Sequence, residues 1–278
     1  MTALVDVTGR LRKMPAEAGE PVSYTIRVGD TLIPLNEMVG YPLQFDFDGV
    51  IRCINCDRKT NKSFSQGYCY PCFRKLAACD SCIMSPEKCH YHEGTCREPE
   101  WGEAHCMIEH VVYLANSSGL KVGITRGSQV PTRWIDQGAV QALPLYEVSN
   151  RLQSGLIEVA LKSAVNDRTD WRRMLRGRQP ELDLLSERDR ILAAAGDTLA
   201  RSIAGLGSDA VKFLKDADEM RFSYPVLRNP EKVKALNFDK QDRVEGVLEG
   251  IRGQYLILDC GVLNIRKFGG YELSLTLT

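Results

Sequence analysis

Two closely spaced cysteine pairs, CINC at 53–56 and CYPC at 69–72, decide how this part of the chain folds. Two thiolates separated by two residues can bind one tetrahedral ion across a tight turn, and a second pair completes the four-ligand shell. The twelve residues between the pairs give the spacing of a zinc ribbon or knuckle. We therefore predict a structural zinc site, closed to catalysis, with the ligands Cys53, Cys56, Cys69 and Cys72.

Cysteine usage and hydropathy indicate the compartment. Nine of the ten cysteines lie between residues 53 and 106, and the first residues, MTALVDVTGRLRKM, lack the apolar core of a secretory signal. Because thiols in a reducing compartment favour metal ligation over disulfides, we expect a cytoplasmic protein. No apolar run approaches the roughly 20 residues that span a bilayer, so no membrane partner is expected. Cys260 lies in an apolar, strand-like run and is expected to be a small core residue.

The overall charge is balanced, with 36 Lys and Arg against 36 Asp and Glu. A balanced chain has no global field that attracts an acidic partner, so any nucleic-acid surface must be local. The length of 278 residues is sufficient for two or three compact units.

The pattern along the chain predicts an α+β fold. Alternating apolar and polar residues predict β structure in 1–52 and again in 223–278, and these terminal segments can pair into one sheet or barrel. Between them we expect a zinc-binding region at 53–106, a small β-sheet with helices at 107–178, and a helical segment at 179–222.

A second group of metal-ligand residues follows the first zinc site. The spacing of Cys79 and Cys82 repeats the knuckle, and a second zinc needs two more ligands from a denser set. We choose Cys89 and Cys96, and the substitutes are Cys106 and His92. Each remaining histidine of this segment is expected to be exposed or to orient a ligand.

The central unit begins with a hairpin pattern. Residues 110–115 and 121–125 are expected to form two strands joined by an NSSG turn, with Tyr113 on the same strand face as Val111. A helix carrying Arg133 and a later helix carrying Glu158 are expected to follow.

This order resembles the GIY-YIG nucleases. Val111-Val112-Tyr113 matches the first motif and Lys121-Val122-Gly123 the second, and the arginine and glutamate follow in the family's order. The resemblance implies that Tyr113 accepts the proton of the attacking water and that Arg133 holds the scissile phosphate. It also implies that Glu158 anchors a catalytic Mg²⁺ or Mn²⁺. The match covers about a fifth of the chain.

Lys121 departs from the family pattern because it replaces the tyrosine of the second motif. Catalysis is favoured if a compensating phenol or imidazole, from Tyr146 or His110, points into the same cleft. Each candidate also has a structural explanation: Tyr113 as a strand aromatic, and Glu158 as a helical ion pair with Lys162. The chain as a whole, including CHYHEGTCREPEW at 89–101, is similar to an uncharacterised bacterial family of unknown function.

A basic segment follows the candidate metal glutamate. Arginine forks match phosphate oxygens, and a tryptophan can stack on a base, so the segment is a candidate nucleic-acid surface. A solvated helix neutralised by its acidic neighbours is an equal alternative. The candidate residues are Arg168, Trp171, Arg172, Arg173 and Arg176.

These patterns support two main hypotheses. The first is a zinc-stabilised, Mg²⁺- or Mn²⁺-dependent endonuclease that cleaves phosphodiester bonds in DNA or RNA. The alternative is a zinc-containing protein that binds nucleic acid without cutting it, and a weaker third hypothesis is a zinc-held scaffold for protein interactions.

Overall fold

A computed structural model describes residues 5–165, 170–177, 179–207 and 210–277. Within these ranges, helices and antiparallel strands are mixed, which confirms the α+β class. The helices are α1 (Tyr70–Lys75), α2 (Pro99–His105), α3 (Thr132–Asp136), α4 (Arg151–Leu161), α5 (Trp171–Leu175) and α6 (Leu184–Ala204). The strands are β1 (Val5–Arg10), β2 (Ala16–Glu17), β3 (Ser23–Val28), β4 (Thr31–Pro34), β5 (Pro42–Arg52), β6 (Lys59–Thr60), β7 (His110–Asn116), β8 (Leu120–Arg126), β9 (Gln141–Val148), β10 (Val211–Phe213), β11 (Met220–Arg221), β12 (Arg243–Arg252), β13 (Tyr255–Leu258), β14 (Gly261–Asn264) and β15 (Tyr271–Leu277).

The two terminal segments pair into one sheet. Its strand order is β1-β15-β5-β12-β13-β14, with β6 added to β5, so the last strand of the chain lies between β1 and β5. In β15 the side chains of Tyr271, Leu273, Leu275 and Leu277 are buried and alternate with half-buried polar ones. This period of two is expected for a strand with one face on the core. A separate three-stranded sheet contains β2, β3 and β4.

The central sheet has the order β10-β9-β7-β8, with β11 also paired to β9. All seven residues of β7 are buried because both faces of the strand are covered. On one face Val111 and Tyr113 join the core that also contains the terminal sheet. On the other face Val112 and Leu114 pack in a second core that includes residues of α4 and α6. The central unit and the terminal segments therefore share a hydrophobic core.

Helices α4 and α6 begin at defined caps. Asn150 and Gln153 form a capping box at the start of α4, and the Asp183 side chain accepts a hydrogen bond from the backbone N–H of Ser186 at the start of α6. The expected helical segment at 179–222 is wrong at its ends, because α6 stops at Ala204. Beyond it, β10 and β11 pair with β9 instead, since the edge of β9 offers unpaired backbone groups.

Two smaller findings complete the fold. Cys260 is exposed in the turn between β13 and β14, so the expectation of a core residue is wrong. The apolar residues around it point inward from the strands, whereas the turn itself faces solvent.

In the part of the chain that the structure describes, no helix has both the length and the apolar character needed to cross a bilayer.

Candidate metal centre and basic cleft

The first cysteine group forms a four-thiol cluster. The sulfur atoms of Cys53, Cys56, Cys69 and Cys72 all lie within 4.8 Å of one another. The Cys56 and Cys69 sulfurs are 3.7 Å apart, close to the roughly 3.8 Å edge of a tetrahedron with Zn–S bonds of about 2.3 Å. The donor set therefore fits one structural zinc ion.

Local structure brings these thiols together. Cys53 follows directly after β5, and the hairpin with β6 folds the chain back beside it. Cys69 is the N-cap residue of α1, Pro71 lies in the first turn, and Cys72 follows within the helix. Pro is favoured in the first turn of a helix because a backbone N–H there would have no partner within the helix, so its absence costs no hydrogen bond. The backbone thus presents each cysteine pair from a tight turn.

The surrounding amides favour ionisation of one thiol. Burial opposes the thiolate of Cys53, but hydrogen bonds from the backbone N–H groups of Cys69, Cys56 and Asn55 outweigh it and lower the pKa of Cys53 to about 6. Burial and the neighbouring thiols instead raise the pKa of Cys72. Zinc binds thiolates, so the hydrogen bonds that stabilise the Cys53 thiolate are compatible with its role as a ligand.

The second cysteine group has a different arrangement from the one expected. Cys82, Cys89 and Cys96 line a small cavity together with Cys106, which the sequence offered only as a substitute. Cys79 is not among the lining residues, and its sulfur is hydrogen-bonded by Ser65 instead. Among the described residues, Asp80, Cys82 and His90 also bring ligand atoms within 4.8 Å of one another. His92 is exposed and does not line the cavity.

The central hairpin brings together the four residues of the candidate catalytic set. Strand β7 pairs antiparallel with β8, so Tyr113 lies opposite Gly123. The phenol of Tyr113 donates a hydrogen bond to Gln137 Oε1 at 3.2 Å, and Lys121 Nζ donates to the same oxygen. Arg133 hydrogen-bonds the phenol oxygen, and the charge of Glu158 acts on it as well.

The phenol is enclosed by packed side chains. Tyr113 is 0% exposed, its ring meets Trp134 edge-on, and an added Cβ on Gly123 would lie only 2.8 Å from the phenol oxygen. Burial raises the pKa of Tyr113, which Arg133 opposes and Glu158 reinforces. The neutral phenol is therefore a hydrogen-bond donor in this structure rather than a base.

The structure also shows the surroundings of Glu158 and of His110 and Tyr146, the two residues that could compensate for Lys121. Glu158 is 8% exposed, and its Oε2 lies 3.5 Å from Lys162 Nζ. His110 Nδ1 is 2.7 Å from the carbonyl oxygen of Ile108, and Tyr146 packs in the core on the α4 side of the sheet. Neither His110 nor Tyr146 lines the cleft described next, and of the four candidate catalytic residues only Arg133 does.

A cleft of about 730 Å³ lies beside this cluster. Its described lining contains five cationic side chains and no carboxylate: Arg12, Lys13, Arg27, Arg133 and Arg266. Of these, Lys13 is paired with Asp136 at 2.5 Å and Arg27 lies 3.8 Å from Asp30. The other three form no ion pair with a carboxylate among the described residues.

Like charges are crowded in the cleft. Burial, followed by the charge of Arg133, lowers the pKa of Arg266. Burial and then the charges of Arg10 and Arg27 lower the pKa of Arg12. Cations that repel one another are stabilised by an anion between them, so the arrangement is suited to an anionic ligand.

The zinc region supplies one wall of the cleft. Ile54, Gln66 and Tyr68 come from the first zinc module, and Ala78 and Met84 follow in the second cysteine group. The cations come from the segment between β1 and β2, from β3, from α3 and from the turn before β15. The metal-binding segment therefore shapes the cleft without providing its charge.

The basic segment lies elsewhere. Trp171 stacks on Tyr255 with ring centroids 5.5 Å apart, and the Arg172 guanidinium is 4.2 Å from the Trp171 centroid. Arg173 and Arg176 are exposed, and none of these residues lines the cleft, while Arg168 lies outside the described residues. The indole is thus engaged in packing, and nucleic-acid binding by this segment stays a prediction.

Sequence reasoning missed two sets of residues. Gln137 joins Tyr113 to Lys121, and its position four residues after Arg133 was a usable signal, because such residues share a helix face. The other cleft cations, Arg12, Lys13, Arg27 and Arg266, are scattered over 255 positions. No local pattern marks them.

The comparisons identify a family but no activity. The model of a protein family of unknown function, DUF2797, matches residues 40–273, well over half of the chain. The chain belongs to this family. No curated protein and no solved structure matches the chain. The resemblance to the GIY-YIG nucleases therefore rests on the residues of this chain alone.

Proposed function

We propose that this member of the DUF2797 family binds the sugar–phosphate backbone of a nucleic acid in the basic cleft, in a reducing cytoplasm. The observation that carries the proposal is the set of five cations on a cleft without a lining carboxylate. Phosphate contacts from Arg and Lys supply most of the sequence-independent affinity of such proteins. The enclosed phenol of Tyr113 favours binding over cleavage.

Arg133 and Arg266 are the central residues of this proposal. Both line the cleft, and neither is neutralised by a carboxylate partner among the described residues. A planar guanidinium presents paired donors that match phosphate oxygens. Because DNA and RNA carry the same phosphate group, the cleft itself is compatible with either.

The test is fluorescence anisotropy with labelled 20-nucleotide DNA and RNA strands over a series of salt concentrations. Arg266→Ala is expected to lower the affinity roughly 10-fold and to reduce the salt slope by about one. Arg201→Ala is the matched control, because Arg201 is exposed on α6 and does not line the cleft. Binding that is equally strong in wild type and Arg266→Ala contradicts the proposal.

A second candidate function is phosphodiester hydrolysis, which the convergence of Tyr113, Lys121, Arg133 and Glu158 favours. Glu158 would hold a Mg²⁺ or Mn²⁺ ion through one carboxylate oxygen, with the remaining ligands from water and phosphate, a mode that suits Mg²⁺. Such an ion stabilises charge on the leaving oxygen. Arg133 can orient the phosphate, and a rearrangement that admits water to Tyr113 is required.

A nicking assay on plasmid DNA and structured RNA with Mg²⁺ or Mn²⁺ tests hydrolysis. Wild type is compared with Tyr113→Phe, Arg133→Ala and Glu158→Ala, and loss of a proton-transfer group is expected to slow cleavage by about 10²–10⁴. Equal background in all four proteins rules out the nuclease. Binding without cleavage supports the first function and rejects the second.

A further inference from the structure

The two walls of the basic cleft differ in chemistry. All five cations of the described lining come from outside the segment 53–106 and form the cationic wall, and every residue that this segment contributes is uncharged. Most of its contributions are apolar side chains, which form the apolar wall: Ile54, Tyr68, Ala78, Ile83 and Met84. A ligand of this cleft therefore meets positive charge and apolar surface, each supplied by different segments of the chain.

The apolar wall presents an aromatic ring and a flexible thioether. Tyr68 is half-buried, and among the described residues no stacking or cation–π contact engages its ring. The neighbouring rings of Tyr70 and Phe73 instead pack on Phe64. Met84 is 86% exposed, and its thioether can adapt to a ligand and packs well against aromatic rings. Both side chains can therefore contact a base.

The two walls are joined where the first zinc module meets the turn before β15. An added Cβ on Gly269 would lie only 2.7 Å from the carbonyl oxygen of Gln66, so the two backbones are closely apposed. Tyr68 follows Gln66 by two residues, and Arg266 precedes Gly269 by three. The charge of Arg266 acts on the phenol of Tyr68. A guanidinium that can bind a phosphate and a ring that can stack on a base are thus neighbours.

A single strand fits this combination of walls better than a duplex does. In a double helix the bases pair and stack with one another, so the outer surface offers phosphates and only the edges of bases. A single strand can turn its phosphates towards cations and its bases towards aromatic and apolar side chains. The cleft volume of about 730 Å³ lies within the roughly 300–1,000 Å³ of small-ligand sites, which is too small to enclose a double helix.

We propose that the cleft takes single-stranded nucleic acid, an inference that rests on the proposed function and specifies its ligand. Phosphates of the strand contact the cationic wall, centred on Arg133 and Arg266. One base stacks on the ring of Tyr68, and Met84 packs against the same base or its neighbour. Because every base has a π face, stacking of this kind tolerates any sequence. Contact with bases is thus assigned to the segment 53–106, and contact with phosphates to the segments that carry the cations.

Three labelled probes of equal length test the proposal by fluorescence anisotropy on the full, zinc-loaded chain. They are a DNA strand of mixed sequence, the same strand annealed to its complement, and a strand in which abasic sites replace the bases. The intact strand is expected to bind about 10-fold more tightly than either of the other two, since one stacked base contributes a factor of this order. Equal affinity for all three probes, or tighter binding of the duplex, overturns the proposal.

Arg266→Ala separates failure of this inference from failure of the proposed function. If binding depends on Arg266 but the three probes bind equally well, the cleft binds phosphates alone and only the inference fails. If Arg266→Ala changes the affinity for none of the probes, the proposed function fails as well.

Substitutions at Tyr68 test the stacking residue. Tyr68→Ala is expected to lower the affinity for the intact strand about 10-fold and to leave the affinity for the abasic strand unchanged. Tyr68→Phe is expected to bind as wild type does, because a phenyl ring also stacks. Tyr41→Ala is the matched control, since Tyr41 is exposed and does not line the cleft. An unchanged affinity of Tyr68→Ala for the intact strand, or an equal loss for both strands, overturns the assignment of Tyr68.

Discussion

Arg133 connects two environments that otherwise do not meet. Its guanidinium hydrogen-bonds the enclosed phenol of Tyr113, and the same side chain lines the basic cleft. A phosphate bound in the cleft would therefore interact, through one side chain, with the cluster that contains Lys121 and Gln137. Substitution of Arg133 is expected to affect both the affinity for a strand and any chemistry at Tyr113.

His110 supplies a prediction for the dependence of stability on pH. The side chain is 0% exposed, and burial lowers the pKa of His110 to about 4, partly offset by the hydrogen bond to Ile108. The unfolded chain has the ordinary pKa near 6.5, so it binds more protons between pH 6.5 and 4. The stability contribution of neutral His110 is complete above pH 6.5 and is lost as the pH falls towards 4.

Urea unfolding of wild type and His110→Gln at pH 7 and pH 5 measures this contribution. Between the two pH values, wild type is expected to lose about 2 kcal/mol more of its unfolding free energy than the variant, which has no group to titrate. Losses of other origin, such as protonation of zinc ligands, are common to both proteins and cancel in the comparison. An identical pH dependence in the two proteins contradicts the prediction.

At the scale of elements, an alternating strand and a tight hairpin were predictable. The alternation in 271–277 predicts β15 because it indicates which face is buried, and the NSSG turn at 116–119 predicts the hairpin of β7 and β8. The arrangement of the thiols in the second cysteine group was harder to predict from the sequence. Cys79 and Cys82 have knuckle spacing, yet the turn between them directs the two sulfurs to different neighbours, Ser65 and the cavity.

The packing of α4 on the second cysteine group gives the prediction at this scale. An added Cβ on Gly155 would lie 2.4 Å from the backbone nitrogen of Glu87 and 2.6 Å from the carbonyl carbon of Pro86. Backbone atoms cannot move away as a flexible side chain can. Gly155→Ala is therefore expected to lower the unfolding free energy by about 1–3 kcal/mol, as overpacking does.

Gly196→Ala on α6 is the matched control, because nothing lies within 4 Å of its added Cβ. That substitution is expected to be neutral or to stabilise by up to about 1 kcal/mol, the difference in helix propensity. Guanidinium unfolding of both variants beside wild type makes the comparison. Similar stability changes at the two positions would show that α4 does not pack closely against the turn at Pro86.

At the scale of the whole molecule, the cleft exists only after folding. Its cations come from residue 12 to residue 266, and the chain as a whole has equal numbers of acidic and basic residues. Sequence composition could therefore state only that a nucleic-acid surface must be local, without locating it. The cluster of Cys53, Cys56, Cys69 and Cys72 was predictable because its spacing is local, whereas a cleft assembled by distant segments requires the tertiary fold.

Zinc removal tests how the parts of the molecule depend on one another. The segment 53–106 contains only short elements, and each structural zinc contributes on the order of 10 kcal/mol to the folding of such a segment. The terminal sheet packs in an apolar core that it shares with the central unit, and no described residue of 53–106 belongs to that core, in which Phe45, Leu273 and Leu275 are fully buried. A chelator is therefore expected to unfold 53–106, remove one wall of the cleft and abolish binding of the labelled strand, while the terminal sheet persists.

Hydrogen exchange measured by mass spectrometry follows both regions in one experiment. After chelation, amides in 53–106 are expected to exchange rapidly, whereas those of β5, β15 and β12 stay protected by their ladder hydrogen bonds. Added Zn²⁺ is expected to restore protection and strand binding, and excess Mg²⁺ is the control that restores neither. Two outcomes would show that zinc does not stabilise 53–106 independently of the rest of the fold. One is that amides in 53–106 stay protected after chelation, and the other is that amides of the terminal sheet lose protection at the same time. Binding of the labelled nucleic acid is measured on the same chelated sample. If it persists after 53–106 has unfolded, the cations alone form the binding surface and the wall contributed by 53–106 is not required.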